Sequence, residues 1–472
     1  MSMTNASEHY FKEVASQWDE LRGGYFTEAV RDAAIAHAYL RPDFTVADVG
    51  AGTGFMTAGL APLVQQVMVV DGSQAMLDVA RKNLRQFGNL TFQQSNGHVL
   101  LLEEGNVDAV FANMYLHHCP DPLAAIREMA RVLRPGGRLV ITDLDAHTYT
   151  WMKEEMADEW MGFERQQVRT WLEQAGLVNT LVTCSGQSCC AESTNENLEN
   201  YSENSANISV FVAVGTQRAN MQEAVKKNYA AAALGSSCCS TSSSSNSCCD
   251  QGVPAEVIFI PGYSVEEVKD VPAKAQELSL GCGNPFAIAG LQPGEVVVDI
   301  GSGGGLDAFI AAKKVGAEGK VIGVDMTPAM LERARSAAQQ SGIANVEFRQ
   351  GQAEALPVDD ASVDVVLSNC VINLTEDKGV VFREIFRVLK PGGRLEVSDV
   401  VTSGTLPFAL RQNGEEWAGC VSGALPEKEY LELIEQAGFQ QATAQRSTSS
   451  GKVGDVDVYS ALVSARKPLV LE

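Results

Sequence analysis

Basic residues are in short supply. The 472-residue chain carries 36 Lys and Arg against 59 Asp and Glu, a net charge of −23. A surface of that sign repels phosphate polyelectrolytes and anionic bilayers, so neither nucleic acid nor a membrane is expected as a partner. Long apolar runs are missing too: nothing approaches the roughly 20 residues that cross a bilayer. The N-terminal stretch MSMTNASEHYFKEVASQWDEL has no basic region followed by an apolar one. No secretory signal is read there, and the cytoplasm is the expected compartment. Histidine is scarce as well. These absences leave a small molecule as the expected partner.

Cysteine is modest in number, 11 in all, but uneven in placing. Cys189/Cys190, Cys238/Cys239 and Cys248/Cys249 are adjacent pairs. Neighbouring cysteines bond to each other only in a strained geometry, which argues against a disulfide framework. Free thiols point instead to redox chemistry or to a soft ligand. Two of the pairs lie in GSSCCSTSSSSNSCCD, residues 235–250, a serine tract with too little apolar content to form a core. A thiol-rich arm of that kind needs a function.

The chain repeats itself. VADVGAGTGF begins at Val46 and VVDIGSGGGL at Val297; RVLRPGGRLVITD begins at Arg131 and RVLKPGGRLEVSD at Arg387. A domain-sized period signals a tandem duplication of one fold. In each half, short β-branched strands such as EVVVDIG, KVIGVDM and VDVVLSN alternate with helical patterns such as AMLERARSAAQQ. Alternation of this type predicts an α/β fold: a mostly parallel, Rossmann-like seven-stranded sheet with helices on both faces, twice in tandem. Residues 1–217 form the first domain. Residues 218–472 form the second, with the Cys/Ser-rich segment at 235–250 inside it. In the first half the two closing strands, VNTLVTC and ISVFVAVG, are read as separated by a polar insert, GQSCCAESTNENLENYSENSAN.

Each first strand runs into a glycine turn, which lets backbone amides approach a ligand at a helix N-terminus. Phe55 and Leu306 stand where a dinucleotide fingerprint needs its third glycine, and neither turn contains GK[ST]. An acid precedes each turn, Asp48 before Gly50 and Gly52, and Asp299 before Gly301 and Gly303. A second acid ends the next strand, Asp71 and Asp325, where a carboxylate can take both hydroxyls of a ribose. The first acid suits an amino group near a sulfonium better than a pyrophosphate, which it would repel.

On these motifs, D-x-G-x-G-x-G, the acid after strand two and the PGG turn before strand five, both halves resemble class I S-adenosylmethionine-dependent methyltransferases. The resemblance implies S-adenosyl-L-methionine as cofactor. In the second half it adds Met326, Ala353, Glu354 and Asn369 to the residues around the cofactor, with adenine near GQAEALP. The first half reads SNGHVLL there and has no matching acid.

The two halves control for each other. FANMYLHH aligns with LSNCVINL, setting Met114 opposite Cys370; DEWMGF aligns with EEWAGC, setting Phe163 opposite Cys420. Cys282, in ELSLGCGNP, has no counterpart at all. In an open parallel sheet, ligands sit beyond the carboxyl ends of the strands, so three thiols converging there would make a thiophilic pocket. YSVEEVKDVPAKAQELSLGCGNP, GVDMT, SNCVINL and WAGCVSGAL are similar to arsenite methyltransferases, over about residues 221–467. The resemblance implies that Cys282, Cys370 and Cys420 hold trivalent arsenic as thiolates, that the arsenic lone pair attacks the sulfonium methyl, and that arsenite or its thiol conjugates are the substrate. It also implies a thiol relay restored by an external reductant, thioredoxin or glutathione, with Cys238, Cys239, Cys248 and Cys249 as candidate capture or relay thiols.

Two other classes stay open: a quinone- or sterol-type methyltransferase, which would need a base and a large apolar pocket, and a non-catalytic metalloid-binding protein. In the first half, His117, His118 and Cys119 of MYLHHCPDP raise the question of a metal site. Adjacent ligands in a loop chelate one ion poorly, and no zinc site is expected from them.

Overall fold

The computed structural model describes residues 6–95, 99–193, 205–221, 225–226, 229, 263–269, 271–276, 283–407, 410 and 421–469. Cys238, Cys239, Cys248, Cys249, Cys282 and Cys420 lie outside the described residues. The chain divides into two units, Met1–Ala219 and Asn220–Glu472. No helix among the described residues is long and apolar enough to cross a membrane.

The first unit contains strands β1 (Thr45–Val49), β2 (Gln66–Asp71), β3 (Leu90–Gln94), β4 (Val107–Asn113), β5 (Leu133–Leu144), β6 (Val178–Glu192) and β7 (Ser205–Thr216). The second contains β8 (Val296–Ile300), β9 (Lys320–Asp325), β10 (Val346–Gln350), β11 (Val363–Asn369), β12 (Leu389–Thr402), β13 (Gln440–Val453) and β14 (Val456–Arg466). Each makes one seven-stranded sheet, in the orders β3-β2-β1-β4-β5-β7-β6 and β10-β9-β8-β11-β12-β14-β13. The two orders are the same topology. Five strands of each sheet run parallel, and the last two join antiparallel.

The strands read as near-continuous apolar runs because both faces are covered. Along β4, Val110 and Ala112 join one core while Ala109 and Phe111 join the other. In the second unit Val366 and Val365 divide in the same way. The helices between strands begin on local signals. Asp121 caps Pro122–Val132 by accepting from the Ala124 amide at 3.0 Å, with Pro122 in the first turn. Asp377 caps Lys378–Val388 through the Val380 amide at 3.1 Å. Such caps contribute ~1 kcal/mol each.

The duplication reaches single contacts. At the end of one helix Arg131 pairs with Glu128 and donates to the Leu100 and Leu102 carbonyls. Its twin Arg387 pairs with Glu384 and donates to the Leu356 and Val358 carbonyls. Each clamp fixes the segment after the third strand, where the second copy carries Glu354.

Two sequence expectations change. PGG is not a turn before the fifth strand but an irregularity within it: the register slips between Val107 and Ala109 opposite β5, and between Val363 and Val365 opposite β12. Proline offers no amide to the ladder, so the strand bulges there. The expected polar insert of the first half is shorter than read, because β6 continues through SGQSCCAE and pairs with β7 as far as Glu192–Ser205. A slip between Cys184 and Gln187 marks the bulge that the sequence pattern presented as a strand end.

Candidate functional site: two glycine turns and the strand ends beside them

The turn after β1 and the turn after β8 have the same backbone. Gly50, Gly52 and Gly54 have φ of 70, 54 and 94°; Gly301, Gly303 and Gly305 have 70, 50 and 93°. All six are left-handed, where a side chain is strained. The first glycine of each turn is also closed on by a neighbour. A Cβ on Gly50 would lie 2.3 Å from the Tyr115 ring, and one on Gly301 would lie 2.2 Å from Val371. Tyr115 and Val371 follow Met114 and Cys370, so each turn is packed directly against the end of its fourth strand.

The second acids complete the turns. Asp71 accepts from the Gly52 and Ser73 amides, both at 2.8 Å. Asp325 accepts from Gly303 at 3.0 Å and Thr327 at 2.8 Å. The first acids are almost wholly buried. Asp48 accepts from the Thr57 hydroxyl, and burial pushes its carboxyl up to about 7. Among the described residues Asp299 Oδ2 is buried without a hydrogen bond. Burial first, then the nearby Asp307 and Asp325, raise its carboxyl well above the usual range. An orphaned buried oxygen beside a left-handed glycine turn fits a ligand that brings a donor or a positive charge, as an amino acid attached to a sulfonium does.

The other cofactor-side residues fall around this turn. Met326 follows Asp325 and is partly buried. Ala353 is buried and Glu354 half-buried, its carboxyl raised by desolvation. Asn369 does something the sequence did not reveal. Its amide donates to Tyr263 Oη at 2.9 Å, to the Gly283 carbonyl at 2.8 Å and to Asp307 at 3.2 Å. Tyr263 in turn bonds Asp307. Asn369 thus ties the segment that precedes β8 to the end of β11. Gly283 packs so closely there that a Cβ would meet Ser398 Oγ at 2.2 Å.

Met114 and Cys370 occupy one position in two copies. Both have left-handed φ, 50 and 58°, and both amides donate to the fifth strand, to Thr142 and Ser398, at 2.8 Å. Cys370 is buried and disulfide-bonded. The other described cysteines, Cys119, Cys184, Cys189 and Cys190, are free.

The first copy has a different acceptor side. Beyond β4 a small cavity of about 40 Å³ opens, lined by Tyr10, Trp18, Tyr25, Met114 and Cys189 together with His117, His118 and Asp158. The helix Trp18–Tyr25 is held against the glycine turn because Asp19 accepts from Thr53 Oγ1 at 2.6 Å and from Asn83 at 2.8 Å. His117 Nδ1 lies 2.7 Å from Asp143, which the Leu116 and Leu144 amides hold in place. Burial works against a proton on His117, but the carboxylates of Asp143 and Asp158 outweigh it and push the imidazole up to about 9. Burial, then the neighbouring His117, hold His118 well below the ordinary value. Desolvation lifts Asp158 to about 6.

Cys119 stays apart: it is buried in the core, with Sγ on the Tyr115 carbonyl at 3.4 Å. Cys189 and Cys190 do not act as a pair either. The pleat of β6 turns Cys189 into the buried side and Cys190 out to solvent.

A family profile described as "Methyltransferase domain" matches residues 47–141, and a second profile of the same description matches residues 291–438. The chain carries two methyltransferase domains. Both have the class I α/β fold. An arsenite methyltransferase of Halobacterium salinarum is 42% identical over 230 residues, which is 47% of this chain and 59% of that protein. One of Aquipseudomonas alcaligenes is 37% identical over 229 residues, 45% of this chain and 64% of that protein. The chain therefore spans less than two thirds of the length of these relatives. Among solved structures, an arsenic(III) S-adenosylmethionine methyltransferase from Chlamydomonas reinhardtii is 38% identical, with a TM-score of 0.39, covering 44% of this chain and 75% of that one.

Proposed function

We propose that the C-terminal domain transfers a methyl group from S-adenosylmethionine to trivalent arsenic held by the thiolates of Cys282, Cys370 and Cys420. The observation that carries the reading is the bond from Asn369 to Gly283. Asn369 precedes Cys370 and Gly283 follows Cys282, so the tie draws those two segments together beside the Gly301 turn. Relatives that methylate arsenite support the substrate.

S-adenosylmethionine supplies an electrophilic methyl on a sulfonium. The chain's part is to hold and to orient. Asp325, fixed by Gly303 and Thr327, would take the ribose hydroxyls, and Asp299 would offer its unpartnered oxygen to the amino acid portion. Three thiolates hold arsenic with its lone pair toward the methyl, and positioning of that kind lowers a barrier by several kcal/mol, up to ~7–11 in ideal cases. The nucleophile carries no proton, so no general base is required. The lone pair forms the new As–C bond, the sulfonium S–C pair returns to sulfur, and arsenic is oxidised by two electrons. A pair of thiols closing to a disulfide returns those electrons, and an external thiol such as thioredoxin or glutathione reopens the pair. The serine-tract thiols Cys238, Cys239, Cys248 and Cys249 capture arsenite or its thiol conjugates and pass it on. Arsenic detoxification is the role this chemistry suits.

The test is direct. Purified protein, arsenite, a reducing thiol and labelled S-adenosylmethionine should give methylated arsenicals, and Cys282→Ser, Cys370→Ser and Cys420→Ser should each lose nearly all of that product. Full activity in Cys370→Ser would overturn the three-thiol site.

A further inference from the structure

We propose that His117, His118 and Asp158 form a binding site for a divalent first-row transition-metal ion in the N-terminal domain, with an open position facing the cavity beside Met114. One ligand atom from each residue lies within 4.8 Å of the others. His117 Nε2 is 3.8 Å and His118 Nδ1 3.6 Å from Asp158 Oδ1. Ligands bound at ~2.0–2.2 Å from one ion stand roughly 3–3.6 Å apart, so the two distances to Asp158 are nearly right, while the widest separation, within 4.8 Å, must close by up to about 1 Å as the ion binds.

Two further observations point to a ligand. Asp158 is buried, 5% exposed, yet its Oδ2 has no hydrogen-bond partner among the described residues. An unpaired carboxylate oxygen in such a place is costly unless something binds it. His117 also shows the support that metal-bound imidazoles have: Nδ1 is anchored on a buried carboxylate, Asp143, which leaves Nε2 turned to the cluster.

The second copy argues that the cluster is not part of the shared frame. Asp399 there takes the place of Asp143, bonded by the Asn373 amide and Tyr430. The residues matching His117 and His118 are Asn373 and Leu374, which cannot form such a set. A methyltransferase fold of this topology therefore stands without the two imidazoles. Two imidazoles and one carboxylate are borderline donors, suited to Zn²⁺, Fe²⁺ or Co²⁺ rather than to Ca²⁺ or Mg²⁺. The cavity of about 40 Å³ leaves room for a water-sized exchangeable ligand on the ion, next to the position that Cys370 holds in the second copy. The site does not depend on the arsenic reading of the C-terminal domain.

The test uses the full chain, reduced and stripped with a chelator, then equilibrated separately with Zn²⁺, Co²⁺ and, anaerobically, Fe²⁺. All six histidines, His9, His37, His98, His117, His118 and His147, belong to the first half, so imidazole ligation reports on that domain whatever the thiols elsewhere bind. The Co²⁺ form should show hyperfine-shifted imidazole proton resonances in its NMR spectrum. His118→Gln and Asp158→Asn should each lose one equivalent of metal by atomic emission, along with those resonances, while Cys370→Ser keeps both. Equal metal content in the native chain and both variants would overturn the site. Should either variant misfold, the native chain decides alone: a Co²⁺ form without shifted imidazole resonances would overturn it equally.

Discussion

The side-chain amide of Asn369 donates to the carbonyl oxygen of Gly283 at 2.8 Å, across 86 residues of sequence. That bond joins the segment before β8 to the end of β11, and its neighbours in sequence are two of the three proposed arsenic ligands. Breaking it should loosen the arsenic site while leaving the fold intact. Asn369→Ala is expected to lower kcat/KM for arsenite roughly 5- to 150-fold, the range that follows from losing about 1–3 kcal/mol of a buried polar contact. The measurement is steady-state methylation, with circular dichroism as the control for folding.

Gly301 is left-handed and closed on by Val371. Gly301→Ala should therefore destabilise the C-terminal domain by at least about 1–2 kcal/mol from backbone strain alone, and abolish S-adenosylmethionine binding there. Gly404 has only an ordinary contact, Val456 at 3.9 Å, and no positive φ. Gly404→Ala should stay within about 0.5 kcal/mol of the native chain in denaturant titrations.

Asp48 gives a pH signature. A carboxyl raised to about 7 by burial binds its proton more tightly in the native state than in the unfolded chain. Its stabilising contribution is complete below about pH 4 and is lost as pH rises through about 7. Relative to Asp48→Asn, the native N-terminal domain should thus lose thermal stability between pH 4 and 8. Parallel melting curves for the two proteins across that range would rule out this account of Asp48.

Replacing Cys238, Cys239, Cys248 and Cys249 together with serine should raise the arsenite concentration needed for half-maximal turnover severalfold, with a much smaller change at saturating arsenite. Kinetics at limiting arsenite that match the native chain would remove the arm from the mechanism.

Part of this protein was legible in its residues alone. Asp48 and Asp299 stand two residues before left-handed glycines, and only glycine takes that backbone freely, so the turns could be read from residue identity and spacing. The alternation of β-branched strands and amphipathic helices is likewise local, and it carried the two sheets. Other features were hidden because they depend on contacts between distant segments. The pairing of β6 with β7 runs on past a bulge at Cys184, where polar residues look like loop. The pleat then separates Cys189 from Cys190, although in sequence they are neighbours. His117 and His118 looked like poor joint ligands until Asp158, 40 residues on, arrived beside them.

Residue order alone determined the duplication, the fold class and the cofactor turns, because propensity and glycine backbone freedom act over a few residues. Only the tertiary structure decided which side chains share a space: Asn369 with Gly283, His117 with Asp143 and Asp158, Met114 where its twin has Cys370. Those meetings are set by the packing of strand ends against distant loops, and no local rule of sequence encodes them.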